Sequence, residues 1–201
     1  VLGGSGKALT LPACRLVEVE GVKTVKIGGL AVFKRDRLLG FLSQEDAKNY
    51  LFITNKMKNA VLPVRASTGN SIASLEIYSN KTSVQPVANG GAVEVAVRTE
   101  TVVVLDELDT TQDYIDNAGK GKNEMTALAE RQLSERLAGT VKTVQEQFGV
   151  DIFGFGAALH RSDPAAWRQV SGMWDDIFKT MKVSVSSQIH IRNTSALDSP
   201  V

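Results

Sequence analysis

From Val93 to Leu105 every second residue is β-branched or aliphatic: Val93, Val95, Val97, Thr99, Thr101, Val103 and Leu105. Side chains alternate between faces along a strand, so this run over thirteen positions predicts one long strand with a single face turned to a core. A strand of that length belongs to a long, twisted sheet. A second ribbon places Val183, Val185, Ser187, Ile189 and Ile191 on one face, and Lys182, Ser184, Ser186, Gln188, His190 and Arg192 on the other. Between the two ribbons, Met125, Leu128, Ala129, Gln132, Leu133, Arg136, Leu137, Val141, Val144 and Phe148 repeat at helical spacing. That stripe predicts an amphipathic helix over 124–148, with its apolar side across one face of the sheet. The expected class is α+β: a long, mostly antiparallel sheet carrying one long helix and a helical segment over 153–178.

The remaining elements follow from local signals. Arg15 to Leu39 reads as strands, in which Gly28-Gly29 predicts a bulge or close backbone approach, and Lys34-Arg35-Asp36-Arg37 forms a polar turn. Ser43 with Asp46 three residues on is a capping-box pair, opening a helix that runs to about Thr54. Val61–Ser67 and Ile72–Tyr78 flank a turn at Thr68-Gly69-Asn70. The strand over Thr82–Val87 turns back at Asn89-Gly90-Gly91. Pro86 has no N–H to donate, which places it at a sheet edge or strand end. Asp163-Pro164 starts a helix whose apolar face is Trp167, Val170, Trp174 and Ile177, with Phe178 alongside and Gly172 as a weak point. We expect residues 1–14 to be a flexible lead-in, 15–195 a single domain and 196–201 a tail, with Cys14 a small core residue on a first strand.

Composition narrows the chemistry. A chain of 201 residues with 43% hydrophobic content supports one sizeable core or two small ones, and its net charge of +1 supplies no global field for nucleic acid or an anionic membrane. No run approaches the roughly 18–20 apolar residues of a spanning helix. One cysteine and two histidines cannot furnish a four-ligand structural zinc site or an intrachain disulfide. Gly3-Gly4-Ser5-Gly6-Lys7-Ala8 lacks the spacing and the Ser or Thr of a phosphate loop. Leu11-Pro12-Ala13-Cys14 has the outline of a lipoprotein cleavage site, but Lys7, Thr10 and glycines stand where the apolar stretch belongs. Lacking an initiator Met and such a signal, the sequence is expected to be a piece of a longer chain. His190 sits on a polar strand face. His160, beside Arg161 and Asp163, suits a helix end, and no nucleophile elbow accompanies it. The acidic run Asp106 to Asp116 lacks the Gly and Glu of a calcium loop. Lys34, Arg35 and Arg37 with Lys48, Lys56 and Lys58 form an ordinary charged surface without interleaved aromatics. No catalytic, metal or cofactor set is assigned.

Three blocks stand in order along the chain. They are Gly29–Leu42 followed by Ser43-Gln-Glu-Asp-Ala47; Asp151-Ile-Phe-Gly-Phe-Gly156 followed by Leu159-His160-Arg161, Pro164 and Trp167; and Trp174, Phe178, Val183-Ser-Val185 and Ile189-His-Ile-Arg-Asn-Thr194. Together they resemble the carboxy-terminal domain of the C-subunit of spore germinant receptors, the GerAC or Ger(x)C lipoprotein family, from about Gly29 to Thr194. Members usually close with Ile-Arg-Arg-Thr-Gly, where this chain has Ile191-Arg-Asn-Thr-Ser195. The resemblance implies a non-enzymatic interaction module on the outer face of the spore inner membrane, without a cofactor. Its implied partners are a polytopic A-subunit and a transporter-like B-subunit, with a lipid anchor in an amino-terminal part beyond this sequence. Candidate partner contacts are Lys34, Arg35, Arg37, Gly154, Gly156 and His160. Gly29, Phe33, Leu42, Asp151, Trp167, Trp174 and Phe178 are the structural residues of the motif. An alternative is a domain that binds the germinant itself, and a more remote one is a hydrolase using His160 and Asp163.

Overall fold

A computed structural model describes residues 7–65, 71–108 and 118–192. The chain begins with an antiparallel sheet of three strands, β1 (Leu9–Val19), β2 (Val22–Lys34) and β3 (Arg37–Leu42), in the order β1-β2-β3. The residues expected as a lead-in are therefore strand from Leu9 onward. The register skips between Ala13/Gly29 and Cys14/Ile27, leaving Gly28 as the bulge that its sequence context predicted. Helix α1 (Gln44–Ile53) starts where expected, with the Ser43 hydroxyl accepting from the Asp46 amide at 3.0 Å.

A second sheet takes β4 (Val61–Arg65), β5 (Ser71–Asn89), β6 (Ala92–Leu108) and β7 (Lys182–Arg192), in the order β4-β5-β6-β7. The expected long sheet is present, but the strands before Leu42 form a sheet of their own. Gly90 and Gly91, with φ of +57° and +90°, make the two-residue turn between β5 and β6, the conformation that suits a tight hairpin. Pro86 lies on the part of β5 that β4 does not reach, so its missing N–H interrupts no ladder bond to β4. The β6–β7 pair is the one parallel contact among the described strands. The Thr68-Gly69-Asn70 turn and Asp109, Asp113 and Asp116 lie outside the described residues.

Helix α2 (Ala118–Gln147) covers the inner face of the second sheet. Met125, Ala129, Leu133, Leu137, Val141 and Val144 are all buried, and they pack in one cluster with Leu75, Ile77, Val95, Val97 and Val103. The helix also bonds to both edge strands of the sheet. Gln132 bonds the backbone of Arg65, and Arg136 donates to the Pro63 carbonyl at 2.9 Å on the β4 edge. Glu130 accepts from the Ile189 amide at 2.9 Å on the β7 edge. These bonds occupy backbone groups on edge strands that would otherwise be free to pair with another chain.

The carboxy-terminal helices are α3 (Phe155–Ser162), α4 (Pro164–Val170) and α5 (Trp174–Thr180), with a 3₁₀ turn at Ser171–Met173 joining the last two. Asp163 caps α4 through the Ala165 and Ala166 amides, with Pro164 in the first turn. Gly172 falls inside the 3₁₀ turn, so the single helix face seen in the sequence is split there. Gln145 ties α2 to the end of α5, donating to the carbonyls of Phe178 and Met181 at 2.8 and 3.0 Å. No helix among the described residues is long and apolar enough to cross a membrane.

Candidate functional site

The residues around Asp151 form a tight knot. Its side chain is buried and accepts from the Phe153, Gly154 and Gly156 amides at 3.0, 2.8 and 2.8 Å, and from Trp174 Nε1 at 3.3 Å. These amides belong to the entry of α3 and would otherwise lack partners, because the first N–H groups of a helix have none within it. Gly154, the residue before the helix, has φ of +87°, a conformation that favours glycine. Burial raises the Asp151 pKa above the usual carboxylate value, against the opposing pull of its hydrogen bonds. The Asp151 carbonyl accepts from the Ala8 amide at 2.7 Å, which fastens the start of β1 to the same loop.

Gly156 is buried under the indole of Trp174, and a Cβ there would approach Trp174 Nε1 to 2.8 Å. Trp174 in turn meets Trp167 edge-on with centroids 5.2 Å apart. Phe153, Phe155 and Phe178 continue the aromatic layer. The placement of Gly156 in a partner surface is therefore corrected: the glycine is required by packing and is not exposed. Gly154 is half-buried and serves the turn. Cys14 lies on β1 as expected, but it is exposed, because its face runs out beyond the body of the domain.

Beside the knot opens a cleft of about 450 Å³, bounded by the start of β1, the β2–β3 turn, α1 and α5. Lys7, Lys34, Arg35 and Lys56 line it. Lys34 pairs with Asp175 at 2.7 Å, and both side chains remain about half exposed, so the pair adds little stability. The Lys7 ammonium lies 5.9 Å from the Tyr50 ring centre, and the Tyr50 hydroxyl accepts from Thr10 at 3.1 Å. The cleft thus gathers cations around one paired and one fully bonded carboxylate. An anionic group is the chemistry it can accept.

The structure brings Lys34 and Arg35 together at this cleft and leaves Arg37 and His160 outside it. Arg37 is exposed on β3. His160 is exposed near the end of α3, with its ring 5.9 Å from that of Trp167. Lys7 entered the sequence reading only as the lysine of a phosphate loop whose spacing fails; the Ala8–Asp151 backbone bond brings it to the cleft. Phe33 and Leu42 belong to β2 and β3, with Leu42 and Val32 buried together against α1.

A family model described as "Spore germination B3/ GerAC like, C-terminal" matches residues 28–195. The chain belongs to this family. The match opens at the Gly28 bulge and takes in the Asp151 knot, the tryptophan pair and β7. The spore germination protein YndF of Bacillus subtilis is 23% identical over 83% of this chain and 41% of its own length. The putative spore germination protein YfkR of the same organism is 22% identical over 89% of this chain and 46% of its own. A crystal structure of the GerBC protein matches with a TM-score of 0.78 at 21% identity, covering 94% of this chain and 57% of the other. That likeness shows a shared α+β fold. The chain spans less than half the length of these two curated relatives.

Proposed function

We propose that this chain is the carboxy-terminal domain of a C-type subunit of a nutrient germinant receptor and acts in spore germination as a protein–protein interaction module. The family match over residues 28–195 carries this reading. In it, the domain stands on the outer face of the spore inner membrane, anchored through lipid on an amino-terminal part, with A- and B-type membrane subunits as partners. The Asp151 site supports a non-enzymatic role. A buried carboxyl of raised pKa is a common catalytic group, but three amides and an indole occupy this one, and it holds a loop in place.

Lys34, Arg35 and Arg37 at the β2–β3 turn offer exposed cations for acidic partner groups. Arg35→Glu with Arg37→Glu is expected to reduce retention of the subunit in the spore membrane fraction several-fold and to slow nutrient germination, with folding unchanged by circular dichroism. Retention and germination at wild-type levels would remove this turn as a contact.

The cationic cleft favours one second reading, direct binding of an anionic or zwitterionic germinant. Titrating ¹⁵N-labelled protein with amino acids and with sugars separates the two. A pure interaction module shows no saturable shifts, whereas a binding domain shows saturation at Lys34, Arg35 and Tyr50.

A further inference from the structure

The β1–β2 hairpin continues past the body of the domain as a bare two-stranded arm. From Cys14 to Ile27 neither strand has another described strand beside it, since β3 pairs only with Leu30–Lys34. Its tip, Glu20-Gly21, is a tight turn with φ of +52° and +79°. An isolated ribbon of this kind is marginally stable in water, yet this one is rich in aliphatic residues and nearly all of them are uncovered. Leu16 is 73% exposed, Val22 and Val25 66% and Ile27 63%.

The register shows which side of the arm is unfinished. Thr10 pairs with Val32, and both belong to the face that packs on α1 and Tyr50 at the base of the sheet. Counting by twos along β1, the same face carries Cys14, Leu16 and Glu18, opposite Ile27, Val25 and Lys23. A core-facing surface therefore runs off the domain through Leu16, Val25 and Ile27 before ending at the Glu18–Lys23 pair, with no layer over it among the described residues. Exposed aliphatic patches of this kind mark interaction sites.

What covers it is indicated by the family. The matching model is named as a carboxy-terminal one and begins at Gly28, at the base of the arm, and the relatives carry more than half of their length outside the match. The arm is the part of this fold on the amino-terminal side of that boundary. We infer that the Cys14–Ile27 arm is the docking element for the amino-terminal part of the full-length polypeptide, which supplies the missing apolar layer over Leu16, Val25 and Ile27. This inference rests on family membership and not on the receptor role.

Hydrogen–deuterium exchange and maleimide labelling of Cys14, compared between residues 1–201 and the full-length polypeptide, test it. In the full-length protein, amides of 14–27 are expected to exchange at least ten times more slowly, and Cys14 to label correspondingly more slowly. Leu16→Glu with Val25→Lys places opposite charges across the register, so the hairpin keeps a favourable pair. This variant should lose the added protection while α2 amides stay unchanged. Equal exchange and labelling in both proteins would overturn the inference. So would protection of the arm within residues 1–201 that grows with concentration alongside a dimer in light scattering, which assigns a second copy. Protection that appears only on phosphatidylglycerol vesicles assigns a lipid surface and overturns it equally.

Discussion

Asp151→Ala is expected to cost about 3 kcal/mol or more, because it leaves three amides and an indole N–H without a partner in the interior. In a domain of this size that lowers the melting temperature by about 10 °C. Differential scanning calorimetry reads it directly, and a loss under 1 kcal/mol would show that water replaces the carboxylate. The pH dependence of the same site has a defined sign. Burial places the folded-state pKa of Asp151 above its free value of 3.8. Folding then takes up a proton, so stability is greatest below that value and falls as pH rises through the folded-state pKa. Asp151→Asn does not titrate. The stability gap between wild type and this variant, from urea denaturation, should narrow as pH is raised from about 4. A widening gap would mean that the four donors outweigh burial.

Gly29→Ala is expected to be comparably severe for a different reason. Gly29 has φ of +149°, and a methyl there would overlap the carbonyl oxygen of Leu42, which is backbone and cannot swing aside. Relief requires β2 and β3 to separate at the Leu30–Leu42 pair, with Val32 and Leu42 losing their place against α1. The expected cost is above about 3 kcal/mol, within the range of mutations that break backbone geometry and core packing together. Gly21→Ala is the control: nothing lies within 4 Å of its added carbon, and φ of +79° is the penalty that remains. Its cost should be about 1 kcal/mol. Thermal melts of the two variants side by side check the difference, and similar values would sink the steric account.

What was legible in the sequence was what repeats or caps. The valine alternation gave away β6 and β7, the four-residue steps from Met125 to Val141 gave away α2, and Ser43 and Asp163 marked helix starts by their side chains. Gly28 announced its bulge. Features that depend on distant segments were not readable in this way. Cys14 and Leu16 alternate as core residues do, and nothing local tells that their face overhangs the domain. The division into two sheets depends on which strands pair across long stretches of chain, and no local signal gives that. Asp151 was visible as a motif residue, but its role is to receive amides presented by a loop, and such a loop has no period. The cleft gathers Lys7, Lys34 and Lys56 from three separate stretches, so no window of sequence contains it.

The parallel seam between β6 and β7 also bears on how the protein is made. Glu94 pairs with Lys182 and Val104 with Arg192, so the strand that completes the sheet emerges from the ribosome only after α2 through α5 have been synthesised. Until then the valine-rich flank of β6 has no neighbour, and contacts between such remote stretches form slowly. A nascent chain held open in this way is most vulnerable to aggregation during that interval.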